Sequence, residues 1–108
     1  LEFQYTARAS YALNKAFGAP IGKAFGITVG APAAIGIVLA DTAVKASTID
    51  VVSYATPQHG QSFSNEVTMT FSGDSGAVRQ AVIAAREVGK TLLGAFGGDV
   101  VSTTTPYI

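Results

Sequence analysis

Gly73-Asp74-Ser75-Gly76 is the stretch of the sequence that most invites a chemical reading. It matches the nucleophile segment of chymotrypsin-like serine proteases. A serine nucleophile needs a base within hydrogen-bond reach and a third group to orient that base. His59 is the only histidine in 108 residues, and the chain is too short for a double β-barrel. The residues after Gly76 are Ala77-Val78 rather than Gly-Pro. Asp and Ser are also preferred N-cap residues, so Asp74 and Ser75 are expected to cap a helix, a structural role. There is no cysteine, and His59 has no companion ligands in sequence, so no metal site is expected. A lone loop histidine is ordinarily solvated, although one lining a narrow opening would be a pH-sensitive charge. Gly26 and Gly30 fit neither a phosphate loop nor a dinucleotide fingerprint. No carboxylate pair is spaced for acid/base catalysis. No catalytic residue and no cofactor are expected.

The elements that would hold these residues read clearly. Residues 1–8 alternate, with Leu1, Phe3, Tyr5 and Ala7 on one face, as in a half-buried strand. Ser10 can cap a short helix through Phe17, ended by Gly18-Ala19-Pro20. Residues 25–29 form a short apolar strand, and Pro32 suits the first turn of a helix over residues 33–47. That helix is apolar almost all round, with Asp41 and Lys45 its only charges. A helix apolar on every side should be buried on every side, and one sheet covers only one. Residues 50–55 and 66–71 read as strands, joined by a ten-residue polar connection over 56–65. Hairpin loops usually have about two to five residues, so this one is long enough to serve a function. Ser72-Gly73-Asp74-Ser75-Gly76 then opens the longest helix, which runs to about residue 96. Its stripe is Val78, Ala81, Val82, Ala85, Val88, Leu92 and Phe96. Gly97-Gly98 ends it, and residues 99–108 read as an extended tail.

Only 13% of the residues are charged, about half the usual 25% or so. A small domain has proportionally more surface to cover, so the shortage falls on the outside, where other subunits can cover it. Seven basic and seven acidic residues cancel, which speaks against nucleic-acid or membrane-surface partners. The longest charge-free stretch, residues 24–40, holds three glycines and a proline and is too short and interrupted to span a bilayer. A start at Leu1-Glu2-Phe3 reads as the interior of a longer protein.

The run Ala40-Asp41-Thr42-Ala43-Val44-Lys45-Ala46-Ser47, followed by Val51-Val52-Ser53-Tyr54, resembles the first helix and second strand of a bacterial microcompartment (BMC) shell domain. The run from Val67 to Val78, with the helix behind it, is similar to that family's third strand, Gly-Asp turn and second helix. Closest is the second repeat of the trimeric tandem-domain shell proteins of the propanediol- and ethanol-utilisation types. The segments from Gln4 to Leu13, Lys15 to Gly22 and Ser62 to Glu66 carry that likeness. The resemblance implies an α+β fold, a single BMC domain with an antiparallel-rich sheet of about four strands, two main helices and a short one. The last strand and short helix of the unpermuted domain come first here, which implies circular permutation.

The resemblance further implies a non-enzymatic shell tile. It would assemble as a homo-oligomer, a trimer of tandem repeats or a hexamer-like ring, together with other shell proteins in the shell of a cytoplasmic organelle. Small polar metabolites would cross at pores. By the same resemblance Lys45 falls at the family's edge lysine and Arg8 at the arginine supporting that edge. Pro57, Gln58, His59, Gly60, Gln61, Ser62, Phe63 and Ser64 are the candidate pore loop. Two alternatives remain open on the residues alone. One is a small-molecule-binding regulatory domain of similar topology that uses this loop. The other is a transferase using Ser75.

Overall fold

The computed structural model describes residues 1–57 and 65–95. Their elements run β1 (Glu2–Thr6), α1 (Tyr11–Phe17), β2 (Ala24–Gly30), α2 (Ala33–Ala46), β3 (Asp50–Ala55), β4 (Val67–Gly73) and α3 (Ser75–Ala95). The four strands form one sheet in the order β1-β2-β4-β3, and every neighbouring pair is antiparallel.

Alternation along the strands sends two sets of side chains to the two faces. On one face Phe3, Tyr5, Met69 and Phe71 pack under Ile35, Leu39 and Ala43 of α2 and Val78, Ala81, Val82 and Ala85 of α3. Each of the larger of these side chains contributes roughly 1.5–3 kcal/mol by leaving water. On the other face Phe25 packs with Ala9 and Ala19, supported by Leu13, Ile27 and Val52. Here α1 is the cover, and its Phe17 ring lies 5.8 Å from that of Phe25.

Seven residues are too few for an independent helix in water, so α1 depends on its ends. Ser10 Oγ accepts from the Leu13 N–H at 3.4 Å, and Gly18, at φ 75°, donates its N–H to Asn14 O. That left-handed C-cap favours glycine. Asn14 Nδ2 adds a bond to Ala19 O at 2.9 Å.

The seat of α2 on the sheet depends on two glycines. A Cβ on Gly30 would stand 2.6 Å from Gly36 Cα, and one on Gly36 would stand 2.5 Å from Gly30 O. Strand and helix backbones touch here because neither residue has a side chain. At its far end α2 stops where Ser47 turns to extended backbone and donates its Oγ–H to Ala77 O of α3.

Sequence and structure differ in small ways. The chain bends after Thr6, so Ala7 is exposed instead of continuing the buried face. Pro32 sits just before α2, at its cap position. β4 continues to Gly73, because Ser72 and Gly73 still pair with Phe25 and Ala24 of β2. The Phe96 end of the α3 stripe, the Gly97-Gly98 stop and the tail lie outside the described residues.

Candidate assembly surface

Two stripes divide α2. Ile35, Gly36, Leu39 and Ala43 are buried. Ile37, Asp41, Val44 and Lys45 recur at four-, seven- and eight-residue offsets, which places them together on the opposite face. There Ile37 is 58% exposed and Val44 46%. Val38 beside them is also exposed. Among the described residues, one side of this apolar helix is covered and the other is left exposed. Toward the C-terminal end of this exposed side Lys45 Nζ lies 2.7 Å from Asp41 Oδ2, the favourable order for a helical pair.

The apolar surface is not confined to the helix. α3 lies over β1 and β2, and α2 over β2 and β4, which sets β3 outermost on the α2 side. A bulge between Val51 and Ser53 shifts the ladder. Ser53 Oγ lies 2.6 Å from Thr70 Oγ1, and Val51 and Tyr54 are exposed. Sequence reading treated 50–55 only as a strand. The missed signal was its apolar content at a sheet edge, where among the described residues no further strand pairs with it. A separate exposed cluster, Tyr11, Phe17 and Ile21, lies around α1, with Lys15 Nζ 5.5 Å from the centre of the Tyr11 ring.

Strand register decides where the candidate residues lie. Thr6 pairs with Phe25, Ala24 with Gly73 and Asp50 with Ser72. One end of the sheet therefore gathers the exit of β1, the start of β2, the exit of β4 and the start of β3. Arg8 follows β1 at this end and is exposed. The next residue, Ala9, is tied down by both its backbone groups, its N–H donating to Lys23 O at 2.7 Å and its carbonyl accepting from Gly22 N–H at 2.9 Å. α2 returns to the same end before β3 begins, so Lys45 lies there too. Arg8 and Lys45 thus share an end of the molecule.

At the opposite end Glu2 pairs with Val29, Gly30 with Val67 and Ala55 with Thr68. The connection from β3 to β4 leaves from here. Pro57, the first residue of the candidate pore loop, is exposed; Gln58, His59, Gly60, Gln61, Ser62, Phe63 and Ser64 lie outside the described residues. The candidate edge residues and Pro57 are separated by the length of the sheet.

Asp74 and Ser75 are exposed at the start of α3. The Val78 N–H donates to Asp74 O at 2.9 Å, and Ser75 O accepts from the Tyr5 hydroxyl at 3.3 Å. Both contacts use the backbone carbonyls and serve packing. Among the described residues no group of three or more His, Cys, Asp or Glu could hold a metal. Among them, too, no helix is long and apolar enough to cross a membrane.

Comparison with known proteins gives this surface a context. The sequence matches the BMC domain over residues 24–105. It is 61% identical over 108 residues to the bacterial microcompartment shell protein PduB of Citrobacter freundii, covering 100% of this chain and 40% of that protein. Among solved structures, EtuB from Clostridium kluyveri superposes with a TM-score of 0.91 at 48% identity, over 98% of this chain and 47% of that one. A trimeric bacterial microcompartment shell protein PduB superposes at 0.87 with 49% identity, again over 98% and 47%. The chain thus spans less than half the length of these relatives.

Proposed function

The chain belongs to the BMC domain family, and from that premise we propose that it is a structural tile of a bacterial microcompartment shell. The observation that carries this reading is the bare outer side of α2, with exposed Ile37, Val38 and Val44 around one ion pair. Such a contiguous apolar face is stable in water only when a further surface covers it. In a shell that surface is another protein.

In this reading the chain is one repeat of a tandem protein, three copies of which form a ring with pseudo-sixfold symmetry. The trimeric structure named above supports that arrangement. The order of elements supports a circularly permuted repeat. β1 pairs with β2 inside the sheet, yet the family match begins only at residue 24, where β2 starts. Lys45 and Arg8, at one end of the sheet, act at the edge between tiles. Residues 57–64 line a pore that passes small polar metabolites such as a short diol or glycerol. The role is structural rather than catalytic. Ser75 has no assigned chemistry in it, and Asp74 and Ser75 serve as the helix cap.

The test is assembly of the full-length protein that carries this chain. Hexagonal sheets seen by electron microscopy, and trimers by sedimentation, are the expected result. A protein that stays as isolated single chains at high concentration, with no sheets, overturns the reading.

A further inference from the structure

We propose that Asp41 is a positioning and charge-neutralising residue for the tile edge, holding the Lys45 ammonium in an orientation that lets the α2 face be buried with its charges paired. The inference rests on the edge role of Lys45 proposed above, and deepens it.

Four observations on α2 bear on this. Asp41 Oδ2 and Lys45 Nζ are 2.7 Å apart. Both side chains are well exposed, at 57% and 74%, so on the isolated chain water screens the pair and it contributes little to folding. The apolar residues Ile37 and Val44 lie on the same stripe as the pair. Finally, these two are the only charged residues from Ala33 to Ala46, so the net charge of α2 itself is set by them alone.

These facts assign little stabilising work to the pair within the monomer and more within an assembly. Covering Ile37 and Val44 with another protein also removes water from Lys45. An ammonium buried alone is costly, and removing one partner of a buried pair leaves that cost uncompensated. Lys45 that arrives already bonded to Asp41 is buried as a neutral pair. The effect doubles where two tiles meet through the same element. Each then brings its own α2, and two unpaired lysines would face each other as like charges. With Asp41 present the contact holds two acids and two bases. Each ammonium can then accept either its own or its neighbour's carboxylate as partner. Asp41 is in this sense a partner for both tiles.

The experiment compares Asp41→Asn, Asp41→Glu and Lys45→Ala in the full-length protein. It measures the protein concentration at which sheets appear, at low and at high salt. Melting and the oligomeric state of unassembled protein are followed alongside. Asp41→Asn is expected to melt as the native protein does and keep its oligomeric state. Its threshold should rise about tenfold or more at low salt, and added salt should recover much of the loss by screening like charges. Asp41→Glu keeps the charge and should stay near the native threshold. If Asp41→Asn assembles at the native threshold while Lys45→Ala does not, the role of Asp41 is overturned and the edge role of Lys45 stands. If Lys45→Ala also assembles at the native threshold, both fall. A threshold that rises for Asp41→Asn but does not respond to salt overturns charge neutralisation. If Asp41→Asn fails to fold, the Asp41→Glu variant decides: a raised, salt-insensitive threshold in a folded protein overturns the proposal.

Discussion

α2 and α3 lie side by side on one face of one sheet, yet they meet water in opposite ways. The inner stripe of α3 is buried at Val78, Ala81, Val82 and Ala85, and its outer side carries Arg79, Gln80, Glu87 and Lys90, all exposed. It is a finished surface helix. The inner stripe of α2 is equally buried, but its outer side repeats apolar residues. Two helices under the same local constraint should show the same polarity outside if both faced only solvent. That they differ supports the proposal that another subunit covers the outside of α2.

The largest effect should come from breaking the inner side of α2. Gly36→Val places a Cβ 2.5 Å from Gly30 O and 2.7 Å from Val67 Cβ. Backbone cannot yield as a flexible side chain can, so α2 should lift from β2 at a cost of about 3 kcal/mol. Denaturant unfolding followed by circular dichroism measures this, and a midpoint close to native would show that the contact is softer than the geometry implies.

The next test separates the outer sides. Ile37→Glu combined with Val44→Glu should abolish sheet formation while stability moves by no more than about 0.5 kcal/mol, since neither side chain is in the core. Gln80→Glu on the outside of α3 should alter neither property. Equal loss of assembly from both helices would erase the distinction, because it would mean that both outer sides are covered.

Much of this contrast was legible in the sequence. The all-round apolar character of residues 33–47 already demanded two covering surfaces, and the Val78 to Leu92 stripe already declared an amphipathic helix. Ser10, Gly18 and the Asp41–Lys45 spacing gave caps and a pair that the structure contains. What sequence could not supply was the lateral order of strands. β2 pairs with β4 across sequence separations of 49 residues at Ala24↔Gly73 and 41 at Thr28↔Met69, and no local periodicity encodes such a partner. The placement of Arg8 and Lys45 at one end, and of Pro57 at the other, follows from that order. So does the exposure of Val51 and Tyr54, because alternation predicts which residues share a face without saying whether a helix lies over it. The Gly30–Gly36 contact was hidden for a related reason. Each glycine reads as a helix or strand weakness until the two backbones are seen to meet.

A smaller effect concerns the floor beneath both helices. Thr28 on β2 is 1% exposed, and its Oγ1 is buried without a hydrogen-bond partner. It shares a strand face with Gly26 and Gly30, which meet Val78 of α3 and Leu39 of α2. Thr28→Val keeps the shape and removes the unsatisfied hydroxyl, so stability should rise by about 1 kcal/mol. A loss of stability on thermal or denaturant unfolding would mean that the hydroxyl has a bonding role in the folded protein.

The smallest effect returns to the comparison with its sign reversed. Gly76 lies in the first turn of α3, with nothing within 4 Å of the position a Cβ would take. Its φ is not in the left-handed region, so alanine fits without strain. Glycine in a helix costs up to about 1 kcal/mol relative to alanine, and less in the first turn, where fewer intrahelical bonds constrain the backbone. Gly76→Ala should therefore raise stability by roughly 0.5 kcal/mol, where Gly36→Val loses several times as much. The physical distinction is contact: one glycine is required because backbone touches backbone, and the other stands in open space. A Gly76→Ala protein that unfolds at lower denaturant would show that the start of α3 is itself in close contact in the assembled state. In that case the outside of α3 would be less finished than its polar residues imply.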